Sequence, residues 1–262
     1  MSEQPKLKIG VVVDVHLPLP IREAIAKVAE MGAEGFQVWT TSGEMLAANM
    51  SIAQRKEFVK FYKDLGLTLT GLCVEFGPSL RIPTEAAEVV PKVKAAMDQA
   101  VDLGAPMVSA HMGGICADKN APEADHLRRV LTDLGNYGSE RGVVFTTETG
   151  GESGDVLRRA LDDLDTDGIR VNFDPANLVI NGFDHIQAAR DLAPYVVHTH
   201  AKDGRKGVGE LPLGEGDVNY PEYVALWRSL GYDGFFTIER ETGNDRLGDI
   251  GRAIQLLRSL GH

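Results

Sequence analysis

The sequence contains no run of about 18 apolar residues, the length a transmembrane helix needs. Its first residues, MSEQPKLKIG, lack the apolar segment of a signal peptide. It has two cysteines, Cys73 and Cys116, which form neither a CxxC nor a CxxH pattern, so nothing suggests a disulfide framework. We therefore expect a cytoplasmic protein without a membrane partner, whose cysteines are small hydrophobic residues.

The sequence is also poor in positive charge. It has 27 Lys and Arg against 38 Asp and Glu, a formal net charge of -11. Such a field repels phosphate backbones and anionic membrane surfaces, so nucleic acid is excluded as a partner. A small neutral or weakly anionic ligand is favoured instead.

A Gly-rich phosphate fingerprint after the first strand, typical of a doubly wound sheet, is missing; the stretch VVVDVHLPLP stands there. The chain instead repeats a short apolar run followed by an amphipathic segment eight times over its 262 residues. This pattern predicts a (β/α)8 TIM barrel, α/β in class, as one domain over residues 1–262. The strand candidates are 8–14, 35–39, 67–76, 106–113, 142–148, 169–174, 196–203 and 235–240.

Helix boundaries have signals as well. Ser51, Thr84 and Ser153 stand where helix N-caps are expected. Five glycines stand where helices should stop: Gly32, Gly66, Gly104, Gly142 and Gly231.

Charged side chains follow the apolar runs of four consecutive predicted strands. Glu148, Asp174, His200 and Glu239 occupy similar heights on strands five to eight, at the barrel face where active sites form. Three carboxylates placed this close raise one another's pKa unless a cation neutralises them. Three oxygen donors and one imidazole suit Mn²⁺, Mg²⁺ or Co²⁺ better than a structural zinc ion. The sequence thus predicts one divalent metal ion, with Mn²⁺ favoured.

Five motifs resemble the xylose isomerase-like barrel superfamily of sugar isomerases, epimerases and dehydratases, over nearly the whole chain. They are ETGGE (148–152), NFDPANL (172–178), HTHAKDG (198–204), LGEGDVNY (213–220) and GYDGFFTIERE (231–241). In the ketose 3-epimerases of that group, Glu, Asp, His and Glu hold one divalent metal, and these match Glu148, Asp174, His200 and Glu239. The two glutamates double there as acid and base, a role the resemblance implies for Glu148 and Glu239.

The resemblance implies a metal-dependent isomerase or epimerase of a small keto sugar or related polyol ketone. The metal would stabilise the enediolate that forms when a neighbouring carbon loses its proton. Many members carry a His at the position of Asn177, and an Asn cannot carry a proton at neutral pH. This departure weakens the match to ketose 3-epimerases while leaving the metal ligands intact.

Other polar or aromatic residues on the same predicted face are candidates for substrate contact. Through the resemblance, His111 is expected to contact a substrate hydroxyl. Lys202 and Asp203 resemble the HxKD of inositol-pathway dehydratases and isomerases. The remaining candidates are His16, Trp39, Glu75, Glu152, Asn177, Arg205 and Lys206.

Several functions stay open at this point. A dehydratase or other lyase of an inosose-like or keto-sugar substrate uses the same enediolate, and a sugar-binding relative would bind without proton exchange. The superfamily also contains an AP endonuclease, but that activity needs several metals and a cationic surface that seven histidines and a charge of -11 do not favour. The resemblance further implies homo-oligomers, dimers or tetramers.

Overall fold

A computed structural model describes residues 6–14, 17–116 and 118–261. Eight parallel strands close into a barrel in the order β1, β2, β3, β4, β5, β6, β7 and β10, with β10 pairing back onto β1. Each strand predicted from the sequence is present, which confirms the fold class. The strands are β1 (Lys8–Val13), β2 (Gly35–Trp39), β3 (Thr68–Cys73), β4 (Met107–Ala110), β5 (Val144–Glu148), β6 (Ile169–Phe173), β7 (Val196–Ala201), β8 (Asp203–Arg205), β9 (Gly209–Leu211) and β10 (Phe235–Ile238).

Helices follow the barrel strands and cover the outside of the barrel. Within the described ranges none of them has the length and apolar character needed to span a membrane. They are α1 (Ile21–Glu30), α2 (Ile52–Asp64), α3 (Pro83–Leu103), α4 (Pro122–Ser139), α5 (Gly154–Asp162), α6 (Pro175–Asn181), α7 (His185–Leu192), α8 (Tyr220–Ser229) and α9 (Arg246–Ser259). The short helix α6 was not expected from the sequence, which indicated one helix between β6 and β7.

The glycine signals correctly mark the helix ends. All five have positive φ, between 71° and 94°, a conformation that a residue without a Cβ adopts at little cost. Ser51 caps α2 in a complete capping box with Gln54, a device that contributes about 1 kcal/mol.

The other two predicted caps differ from the structure. Thr84 is not an N-cap, because α3 begins one residue earlier at Pro83, whose missing N–H suits the first helical position. Ser153 stands at the N-cap of α5, but its hydroxyl donates to Asp155 Oδ1 at 2.6 Å instead of capping a backbone amide.

Aromatic packing fixes the strands that carry the polar residues. Phe173 at the end of β6 packs edge-on against Trp227 of α8, with ring centroids 5.2 Å apart. Tyr223 of α8 contacts Phe236 of β10 in the same way at 6.2 Å. Since side chains alternate along a strand, these outward rings direct the neighbouring residues towards the barrel axis.

A small antiparallel hairpin, β8 with β9, stands at the barrel mouth after β7. The Asp203 carboxylate accepts four backbone N–H groups, from Gly204, Gly214, Gly216 and Val218, at 2.8–3.1 Å. On β9, Glu210 accepts from Arg240 Nη1 at 2.8 Å, and Arg240 Nε donates to Asp249 at 2.8 Å. The charged segment after His200 is therefore an ordered structure tied to the segment after β10.

Candidate metal centre

The four side chains at the ends of β5, β6, β7 and β10 converge at the barrel mouth. Glu148, Asp174, His200 and Glu239 are all buried, and each offers a ligand atom within 4.8 Å of the others. His200 Nδ1 lies 3.6 Å from Glu148 Oε1, 3.6 Å from Asp174 Oδ2 and 3.3 Å from Glu239 Oε2. These atoms form a buried cluster of three oxygens and one nitrogen that could hold a single ion.

The unpaired atoms of this cluster fit a metal ion. His200 Nε2 lies 2.9 Å from Gln37 Oε1 and 3.0 Å from Asn172 Nδ2, and a ring proton on Nε2 directed at Gln37 would leave the Nδ1 lone pair to an ion when one is bound. Asp174 Oδ1 accepts hydrogen bonds from the backbone N–H groups of Ala176 and Asn177. The facing atoms, His200 Nδ1 and Asp174 Oδ2, are buried without a hydrogen-bond partner among the described residues. Leaving such groups unpaired costs about 1–3 kcal/mol each, so a bound cation would offset this cost.

Lys202 adds a positive charge beside the cluster. Its Nζ lies 2.8 Å from Glu239 Oε2 and 3.8 Å from Asp174 Oδ2, and it also bonds Glu241. Burial disfavours the charged amine, but these carboxylates raise the pKa of Lys202 well above its usual value. The side chain is therefore an ammonium ion, although it is only 5% exposed.

The two glutamates of the cluster differ electrostatically. Burial raises the pKa of Glu148, and the charge of Glu239 adds to this rise. Burial acts on Glu239 in the same direction, but the charges of Lys202 and His200 outweigh it and lower the pKa of Glu239 overall. Glu148 is thus the more basic of the two carboxylates.

Metal binding is expected to release a proton. Burial opposes the charged ring, but Glu239 and Glu148 raise the pKa of His200 well above 6.5 in the metal-free protein. An ion that takes the Nδ1 lone pair must displace that proton, so metal affinity rises with pH up to this raised pKa. Titration calorimetry with Mn²⁺ at pH 7 in two buffers of different ionisation enthalpy should show about one proton released. Equal heats in both buffers would contradict it.

Two predicted substrate contacts form a pair at the mouth. The Glu75 carboxylate accepts a hydrogen bond from the backbone N–H of His111 at 2.7 Å and lies 3.1 Å from His111 Nδ1. Burial opposes the charge, but this hydrogen bond, together with the charges of Glu148, Glu75 and Asp174, raises the pKa of His111 to about 9. The ring is 49% exposed, so His111 presents a cation towards solvent at neutral pH.

The remaining predicted contacts have varied positions. Asn177 donates to Glu148 Oε1 at 2.9 Å. Glu152 is half-buried, accepts from the backbone of Ile115, and has its pKa raised by burial. Trp39, also half-buried, ends β2.

Two predicted contacts have their partners outside the ligand cluster. Arg205 is paired with Asp217 at 2.8 Å, and Lys206 Nζ lies against Gly182 at the end of α6. His16 lies outside the described residues. Substrate contact by these side chains stays a prediction.

Several buried polar residues next to the ligands were missed from the sequence. His198 Nδ1 lies 2.8 Å from Asn172 Oδ1, and His198 Nε2 lies 2.9 Å from Thr237 Oγ1. Burial, with the charge of His200, lowers the pKa of His198 well below 6.5, so its ring is neutral. Buried Gln37 and the partly exposed Glu241, which bonds Lys202, were missed as well. The available signal was a polar residue inside an apolar strand run, as at Asn172 in VNFD.

Comparisons with known proteins agree with this architecture. Residues 25–260 match the family model described as xylose isomerase-like TIM barrel. A xylose isomerase domain protein from Planctomyces limnophilus superposes with a TM-score of 0.85 and 27% identity, covering 98% of this chain and 97% of that one. A D-tagatose 3-epimerase-like protein superposes with a TM-score of 0.81 and 18% identity, covering 97% of both chains. A probable 3-DHS dehydratase from Bacillus anthracis superposes with a TM-score of 0.80 and 18% identity, covering 96% of this chain and 98% of that one.

Proposed function

Since the chain belongs to the xylose isomerase-like TIM barrel family, we propose that it is a divalent-metal-dependent sugar isomerase or epimerase. Its substrate would be a small keto sugar or a related polyol ketone. The observation that carries this proposal is the buried cluster of Glu148, Asp174, His200 and Glu239. These donors lie at the carboxyl ends of the barrel strands, the face at which TIM-barrel enzymes have their active sites.

These four side chains would hold the ion. Mn²⁺ suits three oxygens and one imidazole, and Mg²⁺ and Co²⁺ suit them as well. When bound, such an ion would act as a Lewis acid towards the ketone and hydroxyl oxygens of the sugar.

The chain's own contribution is proton transfer. Glu148, whose pKa is raised, would take the proton from the carbon next to the ketone and leave an enediolate. Glu239 would exchange protons with the same intermediate. A proton returned to the same carbon from the other side inverts that centre, and one returned to the neighbouring carbon moves the carbonyl.

Other residues at the mouth would orient the sugar. His111, held by Glu75, presents an N–H donor for a substrate hydroxyl. Glu152 would accept a hydroxyl proton, and Trp39 would face an apolar side of the ring.

Proton exchange tests the proposal. The Mn²⁺-loaded protein is incubated in deuterated water with D-fructose, D-tagatose or an inosose, and the products are followed by NMR and mass spectrometry. The expected result is deuterium at a carbon next to the ketone with no loss of water, suppressed by EDTA and restored by Mn²⁺. Ligand binding without any exchange would contradict an isomerase and indicate a sugar-binding protein.

A lyase is the second candidate. Lys202 lies 2.8 Å from Glu239 Oε2, near enough to the ligand cluster to donate to a departing hydroxyl, and Lys202 and Asp203 belong to the dehydratase-like HxKD motif. The same incubation separates the two candidates, because a lyase product is lighter by one water.

A further inference from the structure

We propose that Asn177 is a positioning residue that fixes the carboxylate of Glu148 for proton transfer. This inference rests on the proposed function and assigns a role to one side chain of that site. It concerns a residue that the sequence had indicated only as a substrate contact.

The contact itself is specific to one oxygen atom. Asn177 Nδ2 donates to Glu148 Oε1 at 2.9 Å, and this is the oxygen that lies 3.6 Å from His200 Nδ1 in the ligand cluster. The other oxygen, Oε2, has Asn172 Nδ2 at a longer 3.4 Å. Asn177 therefore supplies the shorter of these two hydrogen bonds, on the oxygen that faces the other ligands.

Asn177 is itself held from three sides. Its backbone N–H donates to Asp174 Oδ1 at 3.0 Å. Asn181 Nδ2 bonds both Asn177 O and Gly150 O at 2.9 Å. Gly150 has a φ of 159°, and a Cβ there would stand 2.9 Å from Asn177 Cβ. The Gly150 backbone therefore lies close beside Asn177 Cβ and limits the rotamers open to this side chain, so its amide can define the direction of Glu148.

The chemistry of the amide suits this role. An Asn side chain donates hydrogen bonds but has no titrating group near neutral pH. Its N–H donor therefore stays available at any pH at which the protein is folded. The bond is also charge-assisted when Glu148 is ionised, which makes it shorter and stronger than a bond between neutral groups.

The test compares Asn177→Ala and Asn177→His with the matched control Asn136→Ala, an exposed asparagine of helix α4 that has no part in holding Asn177 or Glu148. In Mn²⁺-loaded protein we expect Asn177→Ala to lower kcat for carbon-bound proton exchange by about 10-fold to 100-fold, the usual loss for a partner of a metal ligand. KM and Mn²⁺ affinity should change by less than about 3-fold. Asn177→His, which restores an N–H donor, should recover part of kcat, and Asn136→Ala should stay near wild type.

Crystal structures of metal-free wild type, Asn177→Ala and Asn136→Ala give a readout that does not depend on activity. Glu148 is expected to rotate or lose order only in Asn177→Ala. An unmoved Glu148, an unchanged kcat, or a kcat loss shared equally by Asn136→Ala would overturn the inference. If wild type exchanges no proton with any ketose, the proposed function fails, and the position of Glu148 still decides the role of Asn177.

Discussion

Replacing Glu148 with glutamine is expected to lower carbon-bound proton exchange by about 10²-fold to 10⁴-fold, the usual contribution of a positioned acid or base. The amide has nearly the same shape but cannot accept a proton at neutral pH. Glu148 is the more basic glutamate of the cluster, because burial raises its pKa. The rate is measured at saturating Mn²⁺ in deuterated water.

Metal affinity has to be followed in parallel, because Glu148 is also a proposed ligand. A truncation of Asp174 serves as the comparison, since it should weaken Mn²⁺ binding first and lower the rate mainly through metal loss. Glu140→Gln on the exposed surface controls for the loss of one negative charge. Exchange that persists in Glu148→Gln near the wild-type rate would refute its assignment as the base.

The second large effect is expected for Lys202→Met, on stability in the metal-free protein. Lys202 is 5% exposed, and its removal leaves Glu239 and Asp174, which are 6% and 0% exposed, with His200 as their remaining cationic neighbour. Breaking a buried ion pair by removing one partner costs about 3–5 kcal/mol. The free energy of unfolding is measured by urea denaturation at pH 7 in the presence of EDTA.

This loss should depend on pH and on metal. The charges of Lys202 and His200 depress the pKa of Glu239 in the folded protein despite burial, so the stabilisation is fully present above the unfolded value near 4.5 and is lost as the pH falls through the folded value. The difference in the free energy of unfolding between variant and wild type should therefore become smaller at low pH. Addition of Mn²⁺ should restore much of the lost stability.

Lys60→Met is the matched control for this measurement. Lys60 also has an ion pair, with Asp64, but it is 75% exposed, and such surface pairs contribute about 0–1 kcal/mol. If Lys202→Met lowers the free energy of unfolding by no more than Lys60→Met does at pH 7, the buried ammonium does not stabilise the cluster.

The barrel could be predicted because strands buried on both faces, by helices outside and by the barrel interior inside, read as continuous apolar runs, as in KIGVVV of β1. The place of the candidate ligands at the barrel mouth could be predicted for a related reason, since Glu148 and Asp174 each follow such a run. Both features are local in sequence.

The residues around the ligands could not be predicted in the same way. The contact of Asn177 with Glu148 spans 29 residues, and that of Gln37 with His200 spans 163, so each depends on how the closed barrel brings its strands together. The hairpin was missed because β8 and β9 have three residues each, too few for an alternating pattern. Helix α6 was missed because its seven residues directly follow the strand-ending Asp174.

The buried chain of Glu210, Arg240 and Asp249 joins the hairpin to the segment that follows Glu239. Arg240 and Glu210 are only 8% and 6% exposed, so separating them would leave buried charges without partners. The hairpin and the segment after Glu239 should therefore open together as one cooperative unit. Amide protons in both segments should exchange with solvent at correlated rates, since neither segment can open alone.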